Sequence, residues 1–144
     1  MTVGPVLVTG GTGFIGSHVC QSFLKRGEQV VALTRSDAPA VEEVRVARVS
    51  DLLDRNGLRS ALEGIQTVVH LAGRVHSRRE GKDDPESECR RVNVDGTSAL
   101  LDEAVAAGVK RFVFISSVKA VADESDVALD ECSGELGRGK RLVI

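Results

Sequence analysis

Residues 6–19 read VLVTGGTGFIGSHV: an apolar run, four glycines within seven positions, then a segment with helical spacing. Glycine weakens strands and helices alike, so glycines this dense mark backbone that must turn sharply or be approached closely. Gly11-Thr12-Gly13-Phe14-Ile15-Gly16 fits G-x-G-x-x-G, and Gly10, Gly13 and Gly16 give an overlapping G-x-x-G-x-x-G spacing. After a buried strand and at the start of a helix, this pattern is a dinucleotide fingerprint. One glycine makes the tight turn, another lets the backbone reach a pyrophosphate, and the last lets the helix pack on the strand. The free amides and the positive dipole end of that helix face the anion. The bland alternative is a structural β-to-α turn. A P-loop is excluded: it needs Gly-Lys-Ser/Thr, and here Ser17 and His18 follow Gly16, with no lysine before Lys25.

Working outward, the same unit repeats. Gly27 precedes EQVVALT, Gly64 precedes IQTVVHLA and Gly108 precedes VKRFVFIS. Glycine just past a helix end closes the last turn in the left-handed conformation. Ile15, Val19 and Phe23 recur every fourth residue, as do Val92, Gly96 and Leu100, which predicts helices there. The runs Val6–Val8, Val30–Leu33, Val68–Leu71 and Phe112–Ile115 are apolar on successive positions, as strands buried on both faces should be. Val44-Arg45-Val46 suggests a further strand. Strands alternating with helices predict an α/β fold, a doubly wound parallel sheet covered on both faces.

At 144 residues, 42% hydrophobic and 28% charged, the chain suits one soluble domain. Nineteen basic and twenty-one acidic residues leave a net charge of −2, no footprint for nucleic acid or an anionic membrane. RVHSRREGKDD, residues 74–84, reads as a solvated loop. Cys20, Cys89 and Cys132 are odd in number and widely spaced, which points to a reducing cytoplasm rather than a disulfide framework. No metal is expected, because no second histidine or cysteine stands at ligand spacing from His70. No apolar run is long enough for a bilayer, and the N-terminus lacks the basic region of a signal peptide. Arg35 stands where the second strand ends and where an acidic residue would meet a ribose hydroxyl; Asp37 comes slightly late. An arginine there suits the 2′-phosphate of NADP, which is favoured over NAD; a plain surface arginine is the alternative.

With TGGTGFIG in hand, the chain resembles an extended short-chain dehydrogenase/reductase of the NAD-dependent epimerase/dehydratase family. The resemblance runs from about Val3 to Lys119 through several motifs in order. It implies a Rossmann-type fold with dinucleotide contacts at Gly10, Gly13, Phe14, Ile15 and Gly16. SDLLD, residues 50–54, resembles the segment beside adenine, with Asp51 and Leu52 matching. HLAG, residues 70–73, resembles the strand end along the cofactor, which carries that role to Leu71, Ala72 and Gly73. NVDGT, residues 93–97, holds the family's structural asparagine as Asn93, and FVFISS, residues 112–117, delivers the catalytic serine as Ser117. Each has a local alternative: Ser50 or Asp51 capping a helix, His70 satisfied by one hydrogen bond, Asn93 bonding within its own helix, Ser116 and Ser117 capping the chain.

Family chemistry needs Tyr-x-x-x-Lys, in which the lysine lowers the tyrosine pKa for proton transfer to or from the substrate hydroxyl. The chain contains no tyrosine. Leu136-Gly137-Arg138-Gly139-Lys140 resembles the family's Tyr-Gly-Arg-Ser-Lys with leucine in the tyrosine position, leaving Lys140 as a ribose contact. The expectation is one NAD(P)-binding domain, residues 1–144, without the substrate domain and catalytically incomplete. A nucleotide-sugar substrate is expected only if a longer chain exists. A non-catalytic dinucleotide module acting through a partner is the alternative, and an uncovered sheet edge would favour homo-oligomers.

Overall fold

A computed structural model describes residues 3–35, 41–74 and 85–117. Five strands form one parallel sheet: β1 (Val6–Thr9), β2 (Val30–Thr34), β3 (Arg45–Arg48), β4 (Thr67–His70) and β5 (Arg111–Phe114). Their order is β3-β2-β1-β4-β5. This is the doubly wound arrangement expected from the alternating pattern, with the winding reversing between β1 and β4. β1, β2 and β4 are buried at every position, whereas β3 and β5 are partly exposed. The apolar runs of β1, β2 and β4 mark inner strands, but that of β5 does not: β5 ends the sheet order, and Val113, Phe114 and Ile115 are exposed rather than buried on both faces. The observed β4 and β5 each sit one residue earlier than the expected Val68–Leu71 and Phe112–Ile115.

Successive strand residues point to opposite faces, and so the core divides in two. On one face Leu7, Val31, Leu33 and Val68 pack with Leu58 and Leu62 of α2 (Arg55–Leu62) and Leu100 of α4 (Gly96–Ala106). On the other, Val6, Val8, Val30, Ala32 and Val69 pack with Cys20, Val19 and Phe23 of α1 (Phe14–Leu24). Val19 and Phe23 join that core as their spacing predicts, but Ile15 is 60% exposed because the first turn of α1 overhangs the sheet end. Gly27, Gly64 and Gly108 all have φ between 73 and 76°, the left-handed conformation expected beyond each helix.

One element departs from simple periodicity. A short α3 (Pro85–Arg90) runs into a π-helical turn, Arg91–Asp95, before α4 begins at Gly96. Val92 therefore lies in the π turn rather than in the same α-helix as Gly96 and Leu100. The wider turn carries Asn93, which is buried. Among the described residues no helix is long and apolar enough to cross a membrane.

Candidate functional site

Because every strand is parallel, all five C-terminal ends lie along one edge of the sheet, where a reversal of winding leaves a crevice. A cavity of about 480 Å³ opens at that edge. Gly10 and Gly13 line it from the loop after β1, Arg35 from the end of β2, and Asp51 and Leu52 from beyond β3. Leu71, Ala72 and Gly73 complete it from the end of β4. Residues picked from four separate motifs thus converge on one volume.

The three fingerprint glycines have distinct reasons. Gly10 has φ +68°, and a Cβ on it would stand 3.0 Å from the Ala72 nitrogen, so it makes the turn against the β4 end. A Cβ on Gly16 would lie 2.1 Å from the Gly10 carbonyl oxygen, which fixes glycine where α1 presses on the loop. Gly13, at φ −81° and ψ 174°, has backbone that any residue adopts. Its imaginary Cβ meets only the Gly10 carbonyl, at 3.3 Å, and otherwise projects into open space. It is also the N-cap of α1 and brings no side chain to the first-turn amides, which a capping serine or aspartate would occupy. Gly11 is needed for packing: its Cβ would stand 2.9 Å from that of Ala32.

On the opposite side, Asp51 is held twice. Its Oδ1 accepts the Leu53 amide at 2.6 Å, and its Oδ2 accepts Arg91 Nη1 at 3.0 Å. The Arg91 guanidinium, foremost, keeps the carboxyl below its usual range. Glu88 also faces Arg91, at 3.4 Å. The helix cap in SDLLD is Asp54, not Ser50 or Asp51; its carboxylate accepts the Gly57 amide at 3.0 Å. Leu52 packs against Gly96 so closely that a Cβ there would come within 2.8 Å of it.

Asn93 is used at long range. Its Oδ1 accepts the Arg74 amide at 2.7 Å and its Nδ2 donates to the Arg74 carbonyl at 2.8 Å. The side chain thus clamps the chain leaving β4 and does not itself line the cavity. Phe14, Ile15, Gly16 and Ser117 do not line it either. The Phe14 side chain is 84% exposed, its ring standing in solvent. Ser117 lies three residues past β5, exposed, at the same edge of the sheet. Asp37, Leu136, Lys140 and Cys132 lie outside the described residues, as does residues 75–84 of the charged stretch.

The sequence reading missed Arg74, Glu88 and Arg91, which also line the cavity. Arg91 reaches Asp51 across 40 residues, a pairing for which local spacing carries no signal. His70 has two hydrogen-bond partners rather than one, Thr9 Oγ1 at 2.6 Å and Thr97 Oγ1 at 2.8 Å. Burial pushes its pKa down to about 4. Cys20 and Cys89 are buried and not joined by a disulfide, and burial pushes the Cys20 thiol up.

A strand-end crevice floored by this loop defines a dinucleotide-fold protein of the doubly wound class. The family described as "NAD dependent epimerase/dehydratase family" matches residues 6–137, and the chain belongs to it. It is 41% identical over 128 residues to sterol demethylase protein B of Methylococcus capsulatus, covering 87% of this chain and 38% of that one. It is 37% identical over 134 residues to a UDP-glucose 4-epimerase of Erwinia amylovora, covering 85% of this chain and 39% of the relative. The solved Thermus thermophilus UDP-glucose 4-epimerase in complex with NAD superposes with a TM-score of 0.77 at 33% identity, covering 91% and 44% of the two chains. A short-chain dehydrogenase/reductase superfamily protein from Agrobacterium tumefaciens with bound NAD gives a TM-score of 0.77 at 29% identity, covering 94% and 40%. The chain spans about two-fifths of the length of these proteins.

Proposed function

We propose that residues 1–144 form the NAD(P)-binding domain of a protein of the nucleotide-sugar epimerase, dehydratase and reductase lineage, catalytically incomplete within this chain. The observation that carries this is the open space in front of Gly13, a position whose backbone does not need glycine but whose vacancy does. A pyrophosphate fits that ledge, held by the amides of Phe14 and Ile15 at the start of α1. Asp51 and Leu52 border the adenine, Leu71 to Gly73 lie along the nicotinamide side, and Arg35 meets the ribose. Asn93 contributes by clamping Arg74 rather than by touching the ligand. When bound, the dinucleotide supplies hydride transfer. Ser117 holds a substrate oxygen and Lys140 a ribose hydroxyl. NADP is the favoured form because Arg35 stands at the end of β2, although the related structures named above carry NAD.

A nucleotide sugar is the substrate class that the UDP-glucose 4-epimerase relatives support. The absence of any tyrosine supports the second reading, a dinucleotide-binding module that performs no proton transfer itself and acts through a partner. Calorimetric titration of the folded chain with NADH and with NADPH tests both. Binding of either, tighter for NADPH, with a preference reduced by about tenfold in Arg35→Ala, is the expected result. No heat from either ligand ends the cofactor reading. Oxidoreductase turnover by this chain would end the claim of incompleteness.

A further inference from the structure

The geometry points to His70 as a positioning residue that, through Thr9, sets the β4-side wall of the cavity; only the identity of what that wall faces rests on the dinucleotide reading. Thr9 ends β1 and His70 ends β4, opposite one another in register and both buried. A hydroxyl has one proton to donate and two lone pairs with which to accept. Both lone pairs of Thr9 Oγ1 are taken, by the Leu71 amide at 3.1 Å and the Ala72 amide at 3.0 Å. The Thr9 proton therefore goes to His70 Nδ1, 2.6 Å away. An accepting Nδ1 carries no hydrogen, so the neutral ring bears its proton on Nε2 and donates it to Thr97 Oγ1 at 2.8 Å. Every bond in the chain then donates in one direction, from the two backbone amides through Thr9 and the imidazole to the α4 hydroxyl.

Those two amides belong to consecutive residues. In a continuing strand they would point to opposite neighbours. Aiming both at one oxygen bends the chain out of the sheet at Leu71 and Ala72, where it becomes cavity wall. Gly10 stands against the same bend, with room for no side chain before the Ala72 nitrogen. The wall and the glycine loop therefore share one narrow gap, whose width is set by Thr9. A proton on Nδ1 would meet the Thr9 hydroxyl hydrogen, and to accept it Thr9 would have to release one amide. The ring's contacts are Thr9 from β1, Thr97 from α4, and Phe112 and Phe114 from β5; none of these is charged.

Nitrogen-detected NMR of the ligand-free full chain decides the assignment, with Thr9→Val and Thr9→Ser beside the wild type. The wild-type His70 ring should show the Nε2–H neutral tautomer at pH 7. Thr9→Val should lower the exchange protection of the Leu71 and Ala72 amides by about tenfold or more relative to Val69, and Thr9→Ser should restore it. NADH and NADPH titrations of the same proteins should show affinity falling by about tenfold in the valine variant and recovering in the serine variant. An Nδ1–H tautomer overturns the proposal, and that measurement needs no variant to fold. Unchanged protection in Thr9→Val overturns it as well. Wild-type protein that binds neither dinucleotide would sink the cofactor reading alone, while tautomer and protection still decide the role of His70.

Discussion

Gly13 and Gly16 are three residues apart and chemically identical, yet they answer to different demands. A Cβ on Gly16 would lie 2.1 Å from the Gly10 carbonyl oxygen, whereas one on Gly13 would meet only that carbonyl, at 3.3 Å. Gly16→Ala is therefore expected to destabilise the fold by at least about 1–3 kcal/mol through overpacking, read as a lower urea midpoint. Gly13→Val should lower that midpoint less, by about 1 kcal/mol for the poorer N-cap and the 3.3 Å contact with the Gly10 carbonyl, while removing NADH and NADPH binding. A Gly13→Val variant that loses as much stability as Gly16→Ala would return Gly13 to a purely structural turn. The spacing of the glycines showed that close approaches were needed. Which glycine served the helix and which the ledge depended on neighbours brought from β4 and from within the loop.

At the scale of elements, two charged pairings join segments far apart in sequence. Glu103 of α4 is nearly buried yet accepts from Arg59 Nε at 2.7 Å and from Arg55 Nη1 at 2.9 Å, both on α2. Those arginines, Arg59 first, keep its carboxyl below the usual range. Asp102 also meets Arg55, at 3.1 Å, but stands largely in solvent. Exposed pairs contribute little, whereas removing the acceptor between two arginines leaves them without their shared partner. Glu103→Gln should therefore lower the thermal midpoint by clearly more than Asp102→Asn; equal shifts would refute the difference. The Arg91–Asp51 pair joins the π turn to the loop after β3 and orients Asp51 at the cavity. Arg91→Ala should raise the Asp51 pKa toward its ordinary value, seen by carboxyl NMR, with little loss of stability because both groups are partly exposed.

Across the whole molecule, acid should act first through His70. Its folded pKa, about 4, lies below the ordinary 6.5, so the unfolded chain takes the proton first. The stability this represents is complete above pH 6.5 and is lost as pH falls toward 4, on the order of 3 kcal/mol in total. Asp51 and Glu103 act in the same direction but only below their ordinary values of 3.8 and 4.5, so the interval from 6.5 to 4.5 belongs mainly to the imidazole. Urea midpoints that stay level through that interval would show that His70 is not held neutral.

The sequence alone determined the class of fold and which strand ends border its crevice. Buried parallel strands need unbroken apolar runs, helix ends need left-handed glycines, and a tight β-to-α loop needs missing side chains, all written locally. Gly10, Gly13, Arg35, Asp51, Leu52, Leu71, Ala72 and Gly73, which line the cavity from four strand ends, were legible because each sits in a short motif, whereas Arg74, Glu88 and Arg91 were not. Only the tertiary structure decided what those motifs do to one another. Asn93 clamps Arg74 across 19 residues, Arg91 meets Asp51 across 40, and Thr9 meets His70 across 61. Partners so far apart in the chain meet only when the sheet places β1 beside β4 and lays α4 over it, and no spacing rule encodes that adjacency.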